Sequence, residues 1–312
     1  MYRRRLWFLL AVGLAHGFLL YYGDVLAFYA LCGFVLVFYL PLRLRRIVRA
    51  TLWWWVAATI MSILTTVLWE SVRRRVAPGV DPTLLSLEAL RAFSTYTEGS
   101  YLEQLVERRD DYLTVLVSLL TVSIPQIVGL FLLGLLAGRL GWLARPARHA
   151  RLWDAATWIG LVALPFAAYG EWMNFETMRD YPGDPGFVGY LLQFFGSALA
   201  CLYVAFLVRL RDWPPVSGLI HWIAPAGRMP LTNYLVQSVL MGFLLSGWGL
   251  GFGAELNRVE LALLALGIVA LQWTTSRWWI RRFGNGPMEA WWARVTYRAP
   301  SSARSTFNQT PR

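Results

Sequence analysis

Two residues among the first fifty invite chemistry before any others. His16 lies inside an apolar run from Leu6 to Tyr22. Asp24 follows at a Gly23-Asp24 turn, before a second apolar run from Val25 to Leu42. An ionisable side chain inside a membrane-length run is costly to keep and marks a functional-site candidate. A neutral imidazole can take a proton from a substrate hydroxyl or amine, which is general-base work. The competing reading of His16 is a hydrogen bond to a neighbouring helix, and Asp24 reads equally as an N-cap for the helix it precedes. As partners the two meet a distance problem. If the first helix continues through Tyr22, six residues at 1.5 Å each place the tip about 9 Å above His16, and contact then needs a bend or a water. Tyr21, Tyr22 and Tyr29 would line the same region.

A second constellation opens a later apolar run, Gly227-Arg228-Met229-Pro230-Leu231-Thr232-Asn233-Tyr234-Leu235-Val236-Gln237-Ser238. Proline suits a first helical turn, and Arg228 beside a helix N-terminus forms an anion seat. Asn233 and Gln237, four residues apart, share a helix face. Together they suit a phosphate or the polar groups of a substrate, or else positive-inside anchoring and an amide contact between helices. Pro125-Gln126 falls within another run. There the proline frees a carbonyl and kinks the helix, and Gln126 can line a cavity. Gln193 and Gln272 are lone amides better suited to packing. Glu171, Trp172, Asn174, Glu176, Asp180 and Asp184 form an acidic, aromatic stretch that reads as a sugar or cation site or as a solvated loop. Metal-ligand spacing, a phosphate-binding loop, a dinucleotide fingerprint and a nucleophile elbow are all missing from the sequence.

The elements that must hold these residues are membrane spans. The first two runs are flanked by Arg3, Arg4 and Arg5 and by Arg43, Arg45, Arg46 and Arg49, which makes them a transmembrane hairpin with both ends in the cytoplasm. Eight runs of suitable length occur, at about 6–22, 24–42, 50–69, 112–138, 153–170, 186–208, 229–250 and 259–280. Arginines gather in alternate loops through all eight, so both termini are expected in the cytoplasm. Arg73–Arg75 break the pattern from within a long loop, which weighs less. The first run lacks a signal-peptide cleavage site and leads straight into the second, so it reads as an anchor. Within 70–111, Leu84, Leu85, Leu87, Leu90 and Phe93 suit an amphipathic helix. Ser100 and Glu103 form a capping box that opens a second one, both lying on the outer surface or roofing the bundle. Gly286-Pro287 begins an interfacial helix with Met288, Trp291, Trp292 and Val295 on one face. Residues 299–312 read as a disordered tail.

Composition agrees. Hydrophobic residues make up 57% and charged residues 15%, against about 25% charged in soluble domains. The net charge of +11 lies at span ends and reports topology, so nucleic acid is rejected as a partner. Lysine is absent from the sequence, in keeping with a codon bias towards arginine. Cys32 and Cys201 fall within apolar runs and read as free thiols.

The stretch from His16 through Gly23-Asp24-Val25-Leu26 to Ala30-Leu31 resembles the hairpin motif of the YeiB-like bacterial membrane proteins, the family of domain of unknown function 418. Pro125-Gln126 through Gly134 resembles its fourth-span motif. Gly227-Arg228-Met229 through Ser238, and Gly286-Pro287-Met288-Glu289 with Trp292 through Tyr297, resemble its C-terminal domain. The resemblance covers most of the chain in order. More distantly, the family resembles the transmembrane acyltransferases, which pass an acyl group from a cytoplasmic donor to a sugar on the far side through a membrane histidine. That resemblance implies His16 as the acyl-handling base, Arg228 at the donor's phosphates, and acyl-coenzyme A as a substrate with no bound cofactor. Family members usually begin with further helices carrying a Leu-Arg-Gly-type motif. The start of this chain at the arginine hairpin implies either a start codon placed too late or a shortened paralogue.

The expectation is an all-α, polytopic helix bundle in the bacterial inner membrane. It has one embedded domain over 1–298, in which 112–298 corresponds to the family's C-terminal domain. Three functions remain open: acyl transfer across the membrane, with His16 and Asp24 catalytic and Arg228, Asn233, Gln237 and Gln126 binding substrate or donor; transport of a small solute; and a non-catalytic scaffold. The expected partners are the lipid bilayer and a small-molecule or sugar acceptor.

Overall fold

In a computed structural model the protein is described over residues 2–76, 82–180, 186–211 and 213–297. It is all-α, without strands among those residues. The helices are α1 (Tyr2–Leu19), α2 (Leu26–Val37), α3 (Leu44–Val76), α4 (Pro82–Glu98), α5 (Tyr101–Ser118), α6 (Ile124–Leu140), α7 (Ala150–Asp180), α8 (Gly186–Leu210), α9 (Pro214–Ile223), α10 (Pro230–Leu245), α11 (Arg258–Phe283) and α12 (Pro287–Thr296).

Among the described residues three helical stretches are long and apolar enough to cross a membrane, Leu44–Thr65, Pro146–Met173 and Arg258–Phe283. The bent pair formed by α5 and α6 brings the number to four. Their flanks carry exposed large side chains such as Trp53 and Ile60 on α3, Trp158 and Val162 on α7, and Leu263 and Leu266 on α11. Such surfaces belong against lipid tails, and the chain is a membrane protein. Eight runs do not become eight long apolar helices. The second run narrows to the twelve residues of α2, and α10 holds sixteen. The reason is physical: an apolar run continues through turns that end a helix.

Local signals explain the element ends. Ser100 and Glu103 cap α5 reciprocally, with the Ser100 amide donating to Glu103 at 2.7 Å. The Ser100 hydroxyl and amide hold the Glu103 carboxyl below the ordinary carboxylate range. Asn257 and Glu260 cap α11 in the same way. The expected break at Pro125 takes the form of a π-helical segment, Leu119–Ser123, and a 65° bend between α5 and α6. A proline cannot donate its missing N–H, and a π-bulge relieves the loss. The expected loop at 171–185 is helical as far as Asp180, and a helix not foreseen, α9, starts at Pro214. The side chains of Asn174, Glu176, Asp180, Asp184, Gln193 and Arg73–Arg75, and the whole of 299–312, lie outside the described residues.

The core clusters where α2, α3 and α6 meet, around Phe28, Cys32, Ile47, Val128, Leu132 and Leu136. Arg139 at the end of α6 donates to the carbonyls of Leu40 and Leu42 and closes the α2–α3 turn. Cys32 and Cys201 are free.

Candidate functional site

The first helix stops three residues after His16. The amides of Leu20 and Tyr21 both donate to the His16 carbonyl, at 2.9 and 3.0 Å, and the Asp24 amide donates to the Tyr21 carbonyl. The chain therefore folds back on itself instead of rising through Tyr22. From α5, the Tyr101 hydroxyl and the Arg108 guanidinium donate to the Leu19 carbonyl at 2.9 and 2.7 Å, which satisfies the open helix end.

This turn removes the expected 9 Å gap. His16 Nδ1 lies 2.9 Å from Asp24 Oδ1, with both side chains buried. The Asp24 carboxylate also accepts from the Ala27 amide at 3.1 Å and from the Tyr234 hydroxyl at 3.2 Å. It is thus a helix-start cap and a histidine partner at once. Where the carboxylate accepts from Nδ1–H, the neutral ring carries its lone pair on Nε2. His16 Nε2 is buried without a hydrogen-bond partner. A base oriented by a carboxylate, with its second nitrogen bare, can take a proton from a substrate hydroxyl or amine.

Two glycines seat this pair. A Cβ on Gly13 would lie 2.2 Å from the Ala27 amide nitrogen, and one on Gly17 would lie 2.3 Å from the Tyr112 ring. These positions flank His16 one turn apart on α1. Their bare backbones let α2 and α5 close on the imidazole, and the Tyr234 ring packs beside it at a 48° tilt with ring centroids 4.9 Å apart.

Cavities lie on two sides. One, of about 430 Å³, is lined by Tyr21, Tyr22, Tyr96, Arg108, Tyr234, Gln237 and neighbouring residues of α10. The Tyr96 hydroxyl donates to Asp111 at 2.7 Å; burial and that bond push the phenol well above its ordinary range. The other, of about 540 Å³, is an apolar groove along α1 where His16 meets Phe8, Val12, Leu19, Leu235, Met288 and Trp291.

The remaining expected site residues do not all converge here. Gln237 lines the first cavity. Asn233 donates to the Ala226 carbonyl and to Ser276 on α11. Arg228 is exposed and donates to the Gly284 carbonyl at 2.9 Å. The anion seat at the start of α10 holds a carboxylate of the chain itself: Glu289 accepts from the amides of Leu231 and Thr232 at 2.8 and 3.1 Å and from the Thr232 hydroxyl at 2.5 Å. Gln126 donates to Ser197 on α8 at 3.0 Å, away from the dyad. Tyr29 packs on Phe131. Among the described residues no three His, Cys, Asp or Glu side chains gather as metal ligands.

Sequence reasoning missed Tyr234, Arg108 and Glu289. Tyr234 and Glu289 stand in motifs that were legible without showing what they face. Gln104, Arg108 and Tyr112 recur every four residues, and all three are buried. That spacing was the available sign that α5 turns a polar stripe inwards.

These features define an all-α membrane protein with a buried histidine–aspartate pair at a hairpin turn. The chain belongs to the family described as protein of unknown function (DUF418), which matches residues 137–299, just over half of its length. It is similar to the uncharacterized protein YxaH of Bacillus subtilis (strain 168), 29% identical over 95% of this chain and 72% of the relative. It is also similar to the uncharacterized protein YeiB of Escherichia coli (strain K12), 26% identical over 96% of this chain and 77% of the relative. No solved structure matches the chain.

Proposed function

We propose that the protein transfers an acyl group in the bacterial inner membrane, with His16 as general base and Asp24 as its positioning partner. The observation that carries this reading is the dyad: Nδ1 held at 2.9 Å by a buried carboxylate, and Nε2 buried and unpartnered beside a groove. Nε2 takes the proton of an acceptor hydroxyl, and the oxygen attacks the acyl carbon of a thioester donor such as acyl-coenzyme A. The carbon–sulfur bond breaks and the thiolate leaves, to be protonated from the imidazolium. In this reading the eight runs are eight spans, both termini are cytoplasmic, and Arg228 meets the donor's phosphates. The start of α10 at Pro230 lies about 6 Å along the helix from Tyr234, which touches Asp24. Gln237 borders the acceptor side.

The test uses purified protein in proteoliposomes with radiolabelled acetyl-coenzyme A and an extract of envelope amphiphiles as acceptors. Label transfer should fall by about 10²- to 10⁴-fold in His16→Ala. Transfer that is undiminished in His16→Ala, or absent from the native protein, would overturn the reading. A second reading, transport of a small solute, draws support from Glu289, which occupies the helix-end seat expected for a donor phosphate. Uptake of a labelled solute without acyl transfer would favour it.

A further inference from the structure

Arg108 is a buried cation without a carboxylate partner. It is 3% exposed. Its hydrogen bonds run to the Leu19 carbonyl at 2.7 Å and the Gln104 amide oxygen at 3.3 Å, both neutral acceptors. Among the described residues it forms no salt bridge. The neighbouring Asp111 is engaged by the Tyr96 hydroxyl, and Asp24 by His16 and Tyr234. An arginine keeps its charge when buried, and a buried charge is costly unless something pairs with it. Arg108 lines the 430 Å³ cavity together with Tyr21, Tyr22, Tyr96, Gln237 and Ser238; the Tyr96 and Ser238 hydroxyls donate to Asp111 and to the Tyr234 carbonyl, which leaves Tyr21, Tyr22 and Gln237 as donors beside the guanidinium. Such a chamber offers an anion one fixed cation and several hydrogen-bonding groups.

The second cavity supplies the other half of the ligand. The α1 groove is walled almost wholly by apolar side chains, and Leu20 lines both spaces. Tyr101 borders the groove, with its ring 5.7 Å from the Arg108 guanidinium. A charged chamber thus adjoins an apolar slot, with His16 and Tyr234 at the boundary.

We infer that the two cavities together take one anionic amphiphile. A phosphate or carboxylate head pairs with Arg108, and a single hydrocarbon chain lies along α1 between Phe8 and Leu19. This names the acceptor class for the proposed transfer and rests on that reading for its catalytic meaning, while the binding itself does not depend on it. Charge complementarity selects the head, and the length and apolar lining of the groove select the tail.

The test is native mass spectrometry of the full chain in detergent, titrated with the single-chain lipids lysophosphatidylglycerol or lysophosphatidylcholine, or with inorganic phosphate. The anionic lipid should bind at least tenfold more tightly than the zwitterionic one. Arg108→Gln should weaken it by about ten- to a hundred-fold, as expected for a lost charged hydrogen bond. Arg108 also holds the hairpin turn, so Ala15→Trp is the companion variant. Ala15 is exposed in the groove one turn before Leu19, and an indole there fills the tail slot while both donors to the Leu19 carbonyl stay unaltered. It too should lower lipid binding at least tenfold. Equal binding of the two lipids, inorganic phosphate as tight as the lipid, or full lipid binding in Ala15→Trp would overturn the inference. Binding without any transfer therefore sinks the acyl-transfer reading alone, and transfer without anionic-lipid binding sinks this one alone.

Discussion

In the proposed transfer the imidazole of His16 does not act by itself. Its value lies in what Asp24 does to the opposite nitrogen, since a fixed tautomer turns a packing residue into an oriented base. Asp24 in turn accepts from the Ala27 amide and the Tyr234 hydroxyl as well. At the other end of the site, Arg228 and Glu289 share out the start of α10, the carboxylate taking the amides and the guanidinium standing exposed on Gly284. If Arg228 meets donor phosphates, Arg228→Ala should weaken acetyl-coenzyme A binding by about ten- to a hundred-fold, a loss of roughly 1.5–3 kcal/mol. Isothermal calorimetry measures this directly, and unchanged affinity would remove Arg228 from the donor site. The dyad was half legible: both residue types were evident, but their contact was not. The turn at Leu19 depends on Tyr101 and Arg108, which lie 82 and 89 positions along the chain from the carbonyl they hold. Local helix continuity argued for the wrong geometry because a non-local pair of donors ends the helix.

Among the elements, the hairpin of α1 and α2 is the positioning device. Its closeness rests on Gly13, whose added Cβ would meet backbone and not the yielding end of a side chain. Gly13→Ala should therefore push α2 away and cost about 1–3 kcal/mol, the usual toll of overpacking. A thermal melt in detergent should show a lower midpoint, and loss of acyl transfer should accompany it because Asp24 moves with α2. An unchanged midpoint would mean that the helices have slack. Signals written in a few adjacent residues were read correctly, among them the Ser100–Glu103 capping box, the Pro287 helix start and the Pro125 break, while the same pattern at Asn257 and Glu260 was passed over. Helix lengths were less so. Apolar runs extend past the turns at Leu19 and Val37, where hydropathy does not change but hydrogen bonding does.

For the molecule as a whole, the packing of α12 on α1 brings the two ends of the described chain together. Arg5 lies 4.1 Å over the Trp292 ring, and the Trp292 indole donates to the Arg5 carbonyl at 3.3 Å. Reporter fusions after Arg148 and after Glu255 should report opposite sides of the membrane, and the same side for both would overturn the eight-span reading. The dyad also has a consequence in time. His16 and Asp24 are only eight positions apart, whereas Tyr234 reaches Asp24 across 210. At a synthesis rate of about 5–20 residues per second, the ribosome needs roughly 10–40 seconds to supply that tyrosine. Throughout that interval the nascent hairpin already contains both members of its acid–base pair. A carboxylate entering the bilayer costs about 2.5–3.5 kcal/mol at mid-span, and a histidine within the same hairpin can share its proton and lower that barrier. Biosynthesis thus supplies both members of the pair first, and the turn that joins them closes only once Tyr101 and Arg108 follow, 82 and 89 positions past Leu19.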